Sequence, residues 1–328
     1  MHSFWFFIQA ITRQLLQAVP TIIGILLINF FLLQQVPGDV VDIIAAEAGS
    51  ASAQSMQAMR EAYGLMGNHW EQLLNYLGQL ARGDLGISPR FNEPVIQLIM
   101  DRLPNSLFLV LSGLSVAILL GLLLGSLMAR FHKQTPDRIL SLINLLLYST
   151  PGFWLGLLLI YVFSIQLGWL PAMGHASIDS TLQGWAWLKD RLLHAILPIA
   201  TVATFFIAVY ARLTRASLLD IEGAEYIRTA RAKGLAPWRI TLFHRLRNAL
   251  IPVSTVAGVH FAALFGGAAV TETVFAWPGI GRLTLQAVMT RDYQLLLGIL
   301  LLSSLVVVLI NILIDVFQQW LDPRLRTQ

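Results

Sequence analysis

A chain of 328 residues that is 12% charged and 56% apolar falls far short of the roughly 25% charged residues of a soluble domain, which excludes a water-soluble globular protein. A formal charge of +4 would suit nucleic acid in a soluble protein, but here the basic excess follows membrane topology, and no nucleic-acid-binding pattern accompanies it. The absence of cysteine excludes disulfides, thiol catalysis and cysteine metal sites.

Residues 1–9, MHSFWFFIQ, read as a short amphipathic lead at the membrane surface, without the basic opening or cleavage site of a secretory signal. Uncharged runs of about 20 residues or more, the length needed to cross hydrocarbon, occur at 14–36, 103–129, 139–167, 192–211, 248–271 and 293–314. The bilayer core holds no water to satisfy the backbone, so these six spans must be helices; strands of a barrel would show as short alternating segments. Arg13, then Arg130, Lys133 and Arg138, then the run from Arg212 to Arg247, and finally Arg324 and Arg326 all fall on one side. The positive-inside rule makes that side the cytoplasm, with both termini there. The expected fold class is thus all-α and polytopic, with an N-terminal lead and first span at 1–36, an external helical segment at 37–102, and a five-span core at 103–328 that carries a cytoplasmic loop at 216–250.

Span one stops at Val36-Pro37-Gly38-Asp39. In the external segment, 53–63 has helical character, and a second helix opens at Asn68 with Glu71 placed for a capping box, burying Leu73, Leu74, Leu77 and Leu80. A turn-rich stretch, Gly83-Asp84-Leu85-Gly86-Ile87-Ser88, precedes a further amphipathic helix from Asn92-Glu93-Pro94 to Arg102. Gly113, Ser115, Gly121, Gly125 and Ser126 give span two the small residues that allow close helix packing in lipid. Ser149-Thr150-Pro151-Gly152 should kink span three. The loop 171–191, with Trp185 and Trp187, suits a landing surface for a soluble partner or an interfacial anchor equally. His260, alone within span five, reads as a hydrogen-bonded packing residue.

The densest water-facing charge lies at 225–252, EYIRTARAKGLAPWRITLFHRLRNALIP. At helical spacing Glu225, Arg228 and Thr229 share one side with Arg231 at its edge, and Tyr226, Ile227 and Ala230 share the other. Gly234 ends that helix in the left-handed conformation, and Pro237 opens a second one, expected over 237–248, with Trp238, Leu242 and Leu246 as a ridge. By composition alone this is an interfacial helix pair. By residue order it resembles the ATPase-coupling loop of binding-protein-dependent ABC importer permeases, in the dipeptide, oligopeptide and nickel branch, through Glu225-Tyr226-Ile227-Arg228-Thr229-Ala230-Arg231-Ala232-Lys233-Gly234-Leu235 and Arg247-Asn248-Ala249-Leu250 to Pro252. The external turn Thr271-Glu272-Thr273-Val274-Phe275-Ala276-Trp277-Pro278-Gly279-Ile280-Gly281-Arg282 resembles the same branch, as does Arg291-Asp292-Tyr293.

That resemblance implies a type I ABC importer permease in the bacterial inner membrane, one of two homologous permeases, driven by two cytoplasmic ATPases and fed by a periplasmic or lipid-anchored solute-binding protein. It implies Glu225, Tyr226, Arg228, Thr229, Ala230, Arg231, Gly234 and Leu235 as the ATPase-coupling surface, and Glu272, Trp277, Pro278, Gly279, Gly281 and Arg282 as an external gate or turn. Glu272 reads equally as a functional ionisable group and as a buried partner of Arg282. Cargo would be short peptides, with nickel or a metal-chelator complex as the alternative. The residues agree on energy supply: no phosphate-binding loop is present, so any ATP and magnesium belong to a partner, and this chain is expected to hold no cofactor or metal and to catalyse nothing. Carboxylates sit only at span ends, Glu272 and Asp315, which disfavours a stand-alone ion-coupled carrier. Gly234→Pro and Gly234→Asp are both expected to abolish uptake.

Overall fold

The computed structural model describes residues 19–35, 38–48, 52–177 and 183–321; the N-terminal lead, Val36-Pro37, the Asp315 side chain and the end of the chain lie outside what is described. The chain is helical almost throughout: α1 (Val19–Gln34), α2 (Val40–Ala48), α3 (Ala53–Ala62), α4 (His69–Ala81), a hairpin of β1 (Ile87–Ser88) and β2 (Glu93–Pro94), α5 (Val95–Arg130), α6 (Thr135–Ser149), α7 (Gly152–Leu159), α8 (Gly184–Asp220), α9 (Glu225–Ala232), α10 (Pro237–Arg239), α11 (Leu246–Gly267), α12 (Ala269–Val274), α13 (Ile280–Met289) and α14 (Tyr293–Leu321). Among the described residues, four helices are long and apolar enough to cross a membrane, Val95–Arg130, Gly184–Gly223, Pro237–Phe265 and Tyr293–Ile314. A fifth span follows if the pair Thr135–Ser149 and Gly152–Gln166 is one broken crossing, and α1 is a shorter apolar helix. Ser149-Thr150-Pro151-Gly152 is sharper than a kink: the two halves meet at 99°.

Residues form two compact units, one of Met1–Ser106 with Pro278–Leu309 and one of Leu107–Trp277 with Ile310–Gln328. In the first, α4 opens with the expected capping box at Asn68 and Glu71. Its buried face is Leu73 and Tyr76, with Leu77 and Leu80 partly covered, while Leu74 is exposed, contrary to expectation. A face at i, i+3, i+4, i+7 leaves residue 74 about 100° off the stripe. The helix expected over 92–102 and span two are one rod, α5, running through Pro104. One lost backbone bond is tolerated there because Val95, Leu98 and Ile99 are locked into a core with Leu283, Ala287, Leu295 and Ile299. The same core brings together two stretches far apart in sequence. Asp292, fully buried, accepts the Leu295 N–H at 3.0 Å as a helix cap for α14 and accepts the Ser88 hydroxyl from the hairpin. Near them Arg60 donates to Asp39 at 2.7 Å and pairs with Asp42 as well.

In the second unit, the small residues of α5 do what their spacing suggests. A Cβ on Gly121 would meet Tyr210 Cβ at 2.5 Å and one on Gly125 would meet the Ala211 carbonyl at 2.5 Å, so α5 and α8 lie backbone to backbone along a glycine track that Gly113 extends to Val202. Asp137, buried at the start of α6, takes both oxygens to Arg215 of α8, at 2.9 and 2.8 Å, and accepts the Lys133 N–H. His260 rests 4.7 Å from the Phe206 ring centroid and hydrogen-bonds Tyr210 at 3.1 Å, the packing role expected of it.

Candidate functional site

At the basic end of the second unit, α8 runs out through a tight turn (Ile221–Gly223) into α9. The α9 helix is eight residues long, too short to persist unaided, so its order comes from packing. Ile227 and Ala230 are buried against Ile240, with Ala224 and Leu235 at the rim. The C-terminus closes in a Schellman motif. Gly234, with φ +73°, donates its N–H to the Arg231 carbonyl at 3.0 Å, and Leu235 donates to the Ala230 carbonyl at 3.3 Å. Glu225, Arg228 and Thr229 remain exposed, as the helical spacing requires. Tyr226 keeps an exposed ring while its hydroxyl accepts from the Asn248 amide at 2.7 Å.

One feature of this segment adds to the expected picture and a second corrects it. Arg231, still more than half exposed, pairs with Glu222 at 3.1 Å; Glu222 also faces Arg245 at 3.4 Å, and Arg245 donates to the Leu218 carbonyl at 3.0 Å. Glu222 therefore pins the turn after α8 to both α9 and the next helix, a role that no local spacing signals because the helix ends at Ala224, between it and its partners. Secondly, the helix expected over 237–248 does not end there. Pro237 opens α10 as expected, but α10 passes through a π-helical turn (Ile240–Arg245) directly into α11, one continuous rod Pro237–Phe265. Leu246 N–H reaches back five residues to the Thr241 carbonyl. The extra residue in that turn rotates the ridge, so Trp238, Leu242 and Phe243 are exposed and Ile240 takes the buried place.

The expected external turn falls partly in each unit. On the second unit's side, Glu272 is fully buried in α12 and Trp277 is buried, stacked 6.4 Å from Phe108 and edge-on to His175 at 6.3 Å. Burial, reinforced by Arg191 and His194, pushes the His175 pKa down despite Asp190. Here α12 ends in another Schellman motif, with Ala276 donating to Thr273 and Trp277 to Glu272 at 2.7 Å, but the left-handed position holds an alanine, φ +49°. On the first unit's side, Asn105 donates to the Pro278 carbonyl at 3.1 Å and the Ser106 hydroxyl accepts the Ile280 N–H at 2.7 Å, capping α13 behind the extended Gly279. Gly281 is buried and Arg282 half-buried. Asn105 and Ser106 carry no motif that would single them out in the sequence.

These features define a polytopic helical membrane protein with a short, rigidly capped basic-side helix joined to a spanning rod, and among the described residues no group of three or more His, Asp or Glu side chains suited to a metal. Residues 121–327 match the family described as the binding-protein-dependent transport system inner membrane component, and the chain belongs to that family. It is 37% identical to the di/tripeptide transport system permease protein DppB of Pseudomonas aeruginosa over 97% of this chain and 98% of that one. Against the glutathione transport system permease protein GsiC of Escherichia coli it is 37% identical over 96% and 98%. A chain of the MetNI methionine ABC transporter, in an inward facing conformation, superposes with a TM-score of 0.55 at 21% identity, covering 69% of this chain and 97% of that one. That likeness establishes a shared permease fold. The protein is an inner-membrane transporter permease of bacterial type rather than a catalytic enzyme.

Proposed function

We propose that this chain is one of two homologous six-span permeases that together import short peptides, with both termini cytoplasmic, two ATPases on the cytoplasmic face and a solute-binding protein outside. The six spans are the four long helices, the broken α6–α7 pair and the one to which the shorter apolar helix α1 belongs. The observation that carries the coupling role is that α9 is capped, packed and tied by Glu222 to the root of a rod that continues into the membrane. Closure of the ATPase pair on ATP would displace α9 as a rigid body and move α8 and α10–α11 with it. The partner must favour one permease state by several kcal/mol, since equal affinity for both shifts nothing. Glu225, Tyr226, Arg228, Thr229, Ala230, Arg231, Gly234 and Leu235 form or shape the docking surface; Glu272, Trp277, Pro278, Gly279, Gly281 and Arg282 form the outer turn. ATP and magnesium are held by the partners.

Peptide cargo is supported by the named roles of the similar permeases, for di/tripeptides and for glutathione; nickel and metal-chelator complexes lack such support. The test is reconstitution of the full assembly in proteoliposomes with its binding protein. ATP-dependent uptake of a labelled tripeptide that stops when the ATPases are omitted is expected. Uptake by this chain alone under an ion gradient, or uptake of nickel in place of peptide, would refute the reading.

A further inference from the structure

At the basic end of the second unit, α5, α6 and α8 leave a cavity of about 420 Å³ lined by Met128, Ser141, Asn144, Leu145, Arg212 and Arg215. Its lining is chemically lopsided. Arg212 lies 4.2 Å over the Tyr148 ring and has no carboxylate partner among the described residues. Arg215 commits Nε and one terminal nitrogen to Asp137 and to His132 at 3.0 Å, leaving Nη1 without a hydrogen bond there. Asn144 is 3% exposed; its amide donates to the Ala208 carbonyl at 2.9 Å, but its side-chain oxygen is buried with no donor. Two guanidinium groups on the wall and a single carboxylate, paired with Arg215, leave a net positive site suited to an incoming anion.

We propose that this cavity binds the headgroup of an anionic phospholipid of the phosphoglycerol class, drawn from the membrane leaflet on the basic side. The phosphodiester meets Arg212 and the spare nitrogen of Arg215, with Asp137 cancelling only one of the two positive charges. A headgroup hydroxyl has Ser141, an exposed side chain of the cavity wall, within the same lining to hydrogen-bond. An ethanolamine headgroup also carries donors, but its ammonium would enter a site of net positive charge. The route for the acyl chains is present too. Leu142, Leu145 and Leu146, at i, i+3 and i+4 on α6, are each more than half exposed and continue from the cavity as an apolar strip. A water-filled peptide path would leave that strip wet, whereas a lipid tail covers it. The inference needs only the membrane placement of the chain and is independent of what it transports.

Native mass spectrometry of the assembled transporter, exchanged with equimolar phosphatidylglycerol, phosphatidylethanolamine and phosphatidylcholine, reads the site directly. The wild type is expected to retain phosphatidylglycerol preferentially, and Arg212→Gln to lower that retention about tenfold, the loss of one charge-assisted contact. Arg212→Lys keeps the charge and retains part of the preference, which separates binding from misfolding; Arg138→Gln, an exposed basic residue of the same connection outside the cavity, is expected to behave as wild type. Equal retention of the three lipids, or equal loss in Arg138→Gln, would overturn the site. So would displacement of the lipid by soluble glycerol phosphate at matched concentration, which marks a free-anion site, or cross-linking of Leu145→Cys to the second permease with no lipid retained, which marks a subunit interface.

Discussion

Replacement of Gly234 separates two reasons a glycine can sit at a docking helix. Its φ of +73° lies where a Cβ costs about 1–2 kcal/mol for ordinary residues and less for asparagine or aspartate. Yet a Cβ built there meets nothing within 4 Å, so within this chain the cost is conformational and not steric. Gly234→Ala should therefore loosen the Schellman closure by about 1–2 kcal/mol, enough to cut the ordered fraction of a marginal eight-residue helix severalfold. Gly234→Pro also removes the N–H bonded to Arg231 and forces φ negative, about 3 kcal/mol or more, which should abolish coupling. Gly234→Asp, expected from the sequence to be as severe as proline, should instead rank with Gly234→Asn as the mildest change, because the space is open and the left-handed region is accessible to it. Peptide uptake and stimulated ATP hydrolysis by the reconstituted assembly, scored alongside membrane insertion, give the ranking. If Asn, Asp and Ala all abolish uptake equally, the glycine is required for close approach of a partner backbone and the conformational reasoning fails.

Glu222→Ala should reduce uptake more than Arg231→Ala, since the exposed Arg231 arm is worth under about 1 kcal/mol, whereas loss of Glu222 also strands the half-buried Arg245; equal effects in a transport assay would contradict the keystone role. Gly125→Leu should destabilise the fold by about 1–3 kcal/mol or more of overpacking and so lower the detergent melting temperature, because a Cβ would lie 2.5 Å from the Ala211 carbonyl; an unchanged melt would mean that α5 and α8 are not in close contact. Ala276→Gly should raise stability by about 1 kcal/mol by relieving φ +49°, measured by the same melt. Asp292 is held above its ordinary pKa by burial, against the lowering effect of hydrogen bonds from Ser88, Leu295 and Arg90. The raised folded value means that the folded state binds the proton more tightly, so this contribution is full below pH 3.8 and lost as pH rises through the folded pKa. Asp292→Asn keeps the helix cap and should flatten that decline; an identical pH profile in wild type and mutant would refute the assignment.

Much of the architecture was legible because a bilayer imposes length and polarity on each span. Charge-free runs marked the four long apolar helices and the broken α6–α7 pair, glycine spacing marked the α5 face that meets α8, and Asn68 with Glu71 marked the start of α4. Gly234 and Pro237 likewise bounded α9 and α10 through backbone conformation alone, which is local chemistry. The remainder depended on partners that local spacing cannot pair. Glu222 with Arg245, Asp137 with Arg215 and Ser88 with Asp292 are joined across 23, 78 and 204 positions. A carboxylate in the sequence shows its charge but not which distant guanidinium or hydroxyl will share its burial. Continuity was hidden for a related reason: Pro104 and the turn at Ile240–Arg245 look like breaks, and only packing on the neighbouring helices decides that α5 and the α10–α11 rod continue through them. Composition and periodicity thus set a helical chain built to cross a membrane, because hydrocarbon dictates length and polarity, while tertiary contacts alone determined which side chains tie α8, α9 and the α10–α11 rod together.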